Sequence, residues 1–348
     1  MILLRQALEK DIDGLEALSQ LAAERYPGFI NIAKDADQWK GKVQHSNNSF
    51  LNKVEKNASK YIFVAEDLNL QTIVGLSMVS AQHGTMQSPH FFFEVGSEQK
   101  FSKTINTGFI HGTLKLNYDT DGPTEIGGLL VDPEHRNTDE KIGRQISFIR
   151  FLYIGLNKLK FKKKILAELL PPLTKKGKSP LWEAVGRRFM NMDYAEADAF
   201  STKDKEFILS LIPTEKIYTT FLTAEARNAI GKVSPDTEPV MHMLTKIGFN
   251  YDNQVDPFDG GPHLTANLEE ILPIQKIQEI KYVGASSGVN LAVPQQSFQG
   301  LVTAKHSDLF SGISVEVQIS GTEACFSEQK AAAINIKPGD LFYFMPYY

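Results

Sequence analysis

The chain has 348 residues, 42% of them apolar and 22% charged, with 37 Lys and Arg against 41 Asp and Glu for a net charge of −4. That composition excludes a disordered or fibrous chain and supplies no overall basic field for nucleic acid or an anionic membrane. Cys325 is the single cysteine, which excludes an internal disulfide and a cysteine-based zinc site. At about 100–200 residues per domain, two domains or three small ones are expected. No apolar run reaches the roughly 18–20 residues of a membrane span. The first fourteen residues lack the long apolar core and small-residue cleavage site of a secretory signal. The expectation is a soluble cytoplasmic protein with neither a nucleic-acid nor a membrane partner.

In chain order, Ile2-Leu-Leu predicts a strand, and Asp11 is placed to cap a helix carrying Ile12, Leu15, Leu18 and Leu21 at helical spacing. Residues 24–58 carry only weak helical signals. Tyr61–Glu66 and Ile73–Val79 predict two strands joined as a hairpin. Residues 82–123, rich in Gly, Ser and Thr, read as loops and short strands. Glu125–Val131 is a strand closed by Pro133, followed by a polar loop and a helix from about Ile142 to Leu159. Lys164–Leu170 is a further strand, ended by Pro171-Pro172. Ser179-Pro180 opens another helix, Ser as its cap and Pro at its first position, with Leu181, Trp182, Val185 and Phe189 on its apolar face. This strand–helix–strand–helix order is an α/β unit. Residues 180–194 and 239–251 echo one another as Pro-started helices that lead into a polar strand. From about residue 276 onward, short alternating pieces such as Val315–Ser320 predict a small β-rich module.

The 125–151 segment is the first candidate site. A helix N-terminus with free N–H groups suits a phosphate, Gly143 allows close backbone approach, and Arg136, Lys141 and Arg144 add charge. The same pattern occurs as an ordinary loop in many α/β proteins.

The opening strand–helix, the 61–79 hairpin and the strand-loop-helix at 125–151 resemble the acyl-CoA N-acyltransferase fold of the GNAT superfamily. The blocks TEIGGLLVDPEHR, SPLWEAVGRRFMNMDYAEAD, GKVSPDTEPVMHMLTKIGF and VDPFDGGPHL resemble the arginine N-succinyltransferase family. The likeness runs along the whole chain and is strongest over 124–264. It implies an α/β GNAT-like acyl-CoA-binding domain over 1–200, a second GNAT-like half over 201–275 completing the cleft, and the β-rich module over 276–348. It implies transfer of succinyl from succinyl-CoA to the α-amine of arginine by direct attack in a ternary complex, with CoA released and no metal required. It also implies homo- or hetero-oligomers. Leu129 matches the family position assigned to succinyl-CoA binding; Leu130 and Val131 continue that strand. Ser234 stands where the family carries its proton-donor His, and Glu94 where it carries an Arg. The loop Asn137-Thr-Asp-Glu-Lys-Ile-Gly is longer and more acidic than the family's. A CoA- or partner-binding subunit, or transfer to a different amine, are the alternatives.

Other residues have two readings each. Glu125 accepts the amine's proton or ends the strand in a salt bridge. Ser234 caps the next helix or contacts substrate. Asp259 and Gly260 form a tight turn or hold the substrate amine, with His263 beside them as a candidate base. His135 reads as an exposed loop residue and His242 as packed. The lysines at 158, 160 and 162–164 read as a solvated face, or as a contact for the CoA 3′-phosphate. No metal-binding spacing appears.

Overall fold

The computed structural model describes residues 1–25, 33, 35–136, 138–285 and 296–348. Strand β1 (Ile2–Gln6) leads to helices α1 (Ile12–Arg25) and α2 (Ala36–Phe50). Then come β2 (Lys60–Asp67), β3 (Thr72–Ser80), β4 (His90–Ser102), β5 (Thr107–Asp119) and β6 (Thr124–Val131). Helix α3 (Ile142–Leu156) and β7 (Lys164–Glu168) close the first α/β unit. Two short helices, α4 (Pro180–Ala184) and α5 (Gly186–Met190), precede β8 (Ile217–Tyr218), β9 (Asn250–Val255) and β10 (Pro262–Asn267). The chain ends in β11 (Gln278–Gly284), β12 (Gln296–Ala304), β13 (Ser311–Ser320), β14 (Glu323–Cys325) and β15 (Leu341–Pro346).

Among the described residues these strands form one sheet in the order β12-β15-β11-β14-β13-β1-β2-β3-β6-β7-β10-β9-β4-β5-β8. The strand β2 is buried over Tyr61–Ala65 because helices cover both its faces. Leu15, Leu18 and Trp39 pack on Ile62 and Val64 from one side. Phe148, Ile149 and Leu152 of α3 pack with Tyr61 and Phe63 on the other. This is the expected α/β architecture, with the β-rich module joined to it through β13 beside β1.

Several expectations are corrected. Residues 82–123 hold a long hairpin, with β4 and β5 paired from His90↔Asp119 to Ser102↔Thr107. Its small residues face larger partners across the ladder, as in Phe101↔Gly108 and Gly96↔Thr113. Its outer half leaves Phe101, Ile105, Phe109 and Ile110 exposed. No clean alternation therefore marks it in the sequence. The helix opened by Ser179 breaks at Val185, and Phe189 is exposed. The cap itself forms: Ser179 Oγ accepts from Trp182 N at 3.0 Å. The 180–194 and 239–251 echo does not repeat as structure, since a helix (Tyr194–Ser201) follows the first and β9 the second. One apolar cluster joins Phe93 and Leu116 to Trp182, Ile208 and Ala226, so packing crosses residue 200. The β-rich module has its own core around Tyr282, Val315, Phe326 and Phe342. No described helix is long and apolar enough to cross a membrane.

Asp11 does not cap α1. It forms a bidentate pair with Arg5, at 2.6 and 2.8 Å, and accepts from Leu8 N at 2.7 Å. Glu66 takes the other edge of the same guanidinium at 2.6 Å. Arg5 and Asp11 are buried. Removing one partner of such a pair costs about 3–5 kcal/mol. Asp11→Ala is expected to lose about 3 kcal/mol or more in urea denaturation; a loss below about 1 kcal/mol would show that the pair does not hold β1 to α1.

Candidate active site

Strands β6 and β7 run parallel but pair only at Thr124↔Ile165 and Glu125↔Leu166. Beyond Glu125 they diverge. On its other side β6 carries a bulge between Leu76↔Leu130 and Met78↔Gly127. Gly128 supplies it, at φ +56°, a conformation costly for any residue with a Cβ. A Cβ there would also lie 2.9 Å from Met78 Cγ. The backbone of Gly127–Leu129 therefore faces a cavity of about 940 Å³ opened by the divergence.

The far end of β6 delivers the chain to α3. Lys141 adopts the left-handed conformation at φ +50° and starts the helix without a side-chain cap. Lys141, Gly143, Arg144 and Arg136 all line the cavity there. Arg136 Nε donates to Val131 O at 3.2 Å, and Arg144 lies 4.2 Å over the ring of Tyr347. Tyr348 also reaches the cavity wall. A free helix N-terminus flanked by three cations can receive a phosphate or pyrophosphate. Asn137 of this loop lies outside the described residues.

Acidic groups line the other part of the cavity: Glu125, Glu168, Asp198, Asp256 and Asp259. Burial, the charge of Glu168 and the other acids push Asp256 up to about 7. Asp259 is likewise raised well above the ordinary carboxylate range by burial and by Asp256. Its Oδ1 accepts from Gly261 N at 2.7 Å, and Tyr194 OH donates to Oδ2 at 3.4 Å. Buried carboxylates that raise one another in this way are stabilised by an incoming cation. Asp259 forms the turn and also lines the cavity.

Glu125 and Glu168 meet three histidines. His83 Nδ1 lies 3.0 Å from Glu125 Oε2, and its Nε2 lies 3.7 Å from Glu168 Oε1. His90 and His263 approach the same Glu168 oxygen at 3.2 and 3.6 Å, with their rings stacked. Burial alone would raise Glu125, but the charge and hydrogen bond of His83 outweigh it and hold it below its ordinary range. Glu168 is likewise held low against burial, by the His90 hydrogen bond and the histidine charges. Burial opposes the charge on His83, yet Glu125 and Glu168 raise it above 6.5. His263 is fully buried, and desolvation lowers it to about 4, so it is neutral at pH 7. Ligand atoms of His83, His90 and Glu168 lie within 4.8 Å of one another, a spacing a divalent cation could bridge. Imidazole–carboxylate contacts are already formed there.

The expected site residues divide. Glu125, Leu129, Val131, Arg136, Lys141, Gly143, Arg144 and Asp259 line the cavity. Leu130 alternates to the opposite face and is buried among α1 and α2 residues. Gly260 is buried at φ +84° in the turn behind Asp259. Glu94 is exposed on the β4–β5 hairpin and accepts from Asn117 Nδ2 at 2.9 Å, away from the cavity. Ser234 does not line the cavity. Its Oγ pairs with Thr237 Oγ1 at 2.8 Å, its N–H donates to Leu170 O, and it does not cap the helix Glu238–Lys246, whose N-cap is Thr237. His263 sits behind Glu168, off the cavity. His135 and the exposed His242 line the wall, so His242 is not packed. Of the lysines, Lys158, Lys162 and Lys164 pair with Glu269, Asp121 and Asp252, as on a solvated face, and none lines the cavity. Sequence reading missed His83 and His90, which fell in the presumed loops, and Glu168, whose signal was a charge ending an apolar strand.

A family model described as arginine N-succinyltransferase beta subunit (AstA) matches residues 2–273. The chain belongs to this family. It is 31% identical over 328 residues to the arginine N-succinyltransferase of Yersinia enterocolitica, covering 94% of this chain and 93% of that protein. It is 32% identical over 277 residues to the Escherichia coli O17:K52:H18 enzyme of the same name, covering 79% of each. In fold it is similar to the arginine/ornithine succinyltransferase subunit AI from Pseudomonas aeruginosa, with TM-score 0.82, 24% identity, and 99% and 98% of the two chains covered. The resemblance read from the four sequence blocks is thus confirmed.

The bulge gives a direct test. Gly128→Ala is expected to weaken calorimetric binding of succinyl-CoA roughly tenfold or more, from left-handed strain and the clash with Met78. Unchanged affinity would show that the bulge does not shape the acyl-CoA site.

Proposed function

We propose that the chain transfers a succinyl group from succinyl-CoA to the α-amine of L-arginine. The observation that carries this reading is one cavity joining a cation-flanked helix N-terminus to a carboxylate cluster across the diverged strand β6. The CoA phosphates suit Arg136, Lys141, Gly143 and Arg144. The thioester then lies along Gly127–Leu129, where backbone N–H groups freed by the divergence can donate to its developing oxyanion. The guanidinium and ammonium of arginine suit Asp256, Asp259 and Glu168.

Attack requires the ammonium to lose a proton. Glu125 lines the cavity at the mouth of the divergence, and His83 stands directly behind it. The proton passes from the amine to Glu125, directly or through a water, and is held by His83. The neutral amine adds to the thioester carbonyl carbon. The attacking nitrogen of the tetrahedral intermediate gives its extra proton, through water, to the departing sulfur, and the intermediate collapses to the amide with CoA released as the thiol. This pair supplies the acid–base function that Ser234 cannot, since a serine hydroxyl does not titrate near neutral pH.

The test is succinyl-CoA consumption with L-arginine, following thiol release and the mass of the succinylated product. Arginine-dependent turnover is expected. CoA binding without turnover would favour a binding subunit, and turnover only on another amine would change the acceptor. Because carboxylates hold His83 above 6.5, kcat/KM is expected to rise with pH through a midpoint above 6.5. Glu168→Gln removes one of the charges that raise His83, so the midpoint should move to lower pH. His83→Gln should lower kcat by roughly 10²–10⁴-fold and abolish that limb. A limb unchanged in His83→Gln would assign the proton acceptor elsewhere.

A further inference from the structure

Among the buried residues of helix α3, Arg150 is the one that carries a charge. This guanidinium is only 2% exposed. Its Nε donates to Ser147 O at 3.0 Å, one Nη to Ser147 Oγ at 2.6 Å, and the other to Gly127 O at a long 3.3 Å. Among the described residues no carboxylate comes within ion-pairing distance of it. Burial lowers its pKa to about 9, and no neighbouring charge offsets that effect. A buried, uncompensated cation is costly, and structures usually pair it. Arg5 shows the ordinary solution in this same chain, with two carboxylates on its guanidinium.

Arg150 also lines the cavity, beside Gly127 and Met78 at the bulge of β6. We propose that Arg150 receives the terminal carboxylate of the acyl group, making it the residue that selects a dicarboxylic acyl-CoA over a neutral one. This rests on the succinyl-donor reading above. The charge distribution favours it. The carboxylate of the donor is repelled by the acids of the cavity's other part, where the arginine substrate fits, and Arg136, Lys141 and Arg144 lie at the helix start that suits the phosphates. Arg150 contacts the strand at Gly127, next to the thioester position, and the carboxylate of a succinyl thioester is only two methylenes from its carbonyl. When the donor binds, the cation gains the counter-ion that the fold withholds, so binding energy is drawn from the carboxylate.

The experiment compares succinyl-CoA with butyryl-CoA, which has the same four-carbon chain without the carboxylate, on the same acceptor. Wild-type protein should prefer succinyl-CoA strongly in kcat/KM. Arg150→Met should lower kcat/KM for succinyl-CoA roughly 100-fold or more while leaving butyryl-CoA within about threefold, as expected for losing one desolvated charge pair. Arg150→Lys should restore part of the preference. If Arg150→Met does not fold, Arg150→Lys and Ser147→Ala, which frees the guanidinium from its anchor, should each narrow the donor preference about tenfold. Equal losses with both donors would overturn the proposal, because they would make Arg150 a tie for the Gly127 carbonyl. A wild-type preference for succinyl-CoA that persists in Arg150→Met would overturn the role of Arg150 alone. A wild-type protein indifferent to the two donors would overturn the succinyl-donor reading and this assignment with it.

Discussion

The early end of pairing between β6 and β7 is the constraint on which the site depends. Two parallel strands that hydrogen-bond at only two residue pairs and then separate leave backbone donors and acceptors without ladder partners inside a buried sheet. Such groups need a partner, and in the proposed reading a thioester with its pantetheine amides supplies one. The bulge at Gly128 turns those groups toward the opening, and Met78 fills the space a side chain would need. Everything else arrives relative to this wedge. Glu125 marks its apex, Glu168 ends its second arm, and α3 leaves its far end with its N-terminus uncapped.

Electrostatics then divides the wedge by charge. Cations gather where the chain turns from β6 into α3, and carboxylates gather around the 256–261 turn and the end of β7. The carboxylates raise one another's affinity for protons, while the histidines hold Glu125 and Glu168 ionised. An amino acid carrying two positive groups relieves the first effect, and a CoA thioester carrying phosphates suits the cations. Direct transfer needs both bound at once across a short gap, so the rate gain comes largely from positioning. The histidine that the family places before Pro235 is not needed as an acid or base if His83 works through Glu125. The Ser234 hydroxyl is bonded to Thr237 and does not line the cavity.

Much of this was legible in the sequence where local rules act alone. The β6–α3 segment announces itself by an apolar run, a Pro stop and a Gly beside basic residues, and those residues do line the cavity. Ser179 caps as its position before Pro180 demands. The β-rich module follows from alternation in strands such as β13. What stayed hidden depends on long-range pairing. The β4–β5 hairpin uses glycines as partners for bulky residues, which erases the period-2 signal. That hid His90 and the neighbouring His83, whose roles appear only when β6, β7 and β10 bring Glu125, Glu168 and His263 together. Glu94 was misplaced for the reverse reason, since aligning it with a family Arg says nothing of which face of the hairpin it occupies. Arg150 drew no attention in the sequence, because its lack of a counter-ion is a property of the fold.

The most direct test of this account is a crystal structure with CoA and L-arginine bound together. The account predicts the CoA sulfur beside the backbone of Gly127–Leu129, the pyrophosphate at the start of α3, and the arginine α-amine within reach of Glu125 with its guanidinium among Asp256 and Asp259. Arginine bound at the cationic part of the cavity, or a CoA sulfur outside the diverged strands, would contradict it.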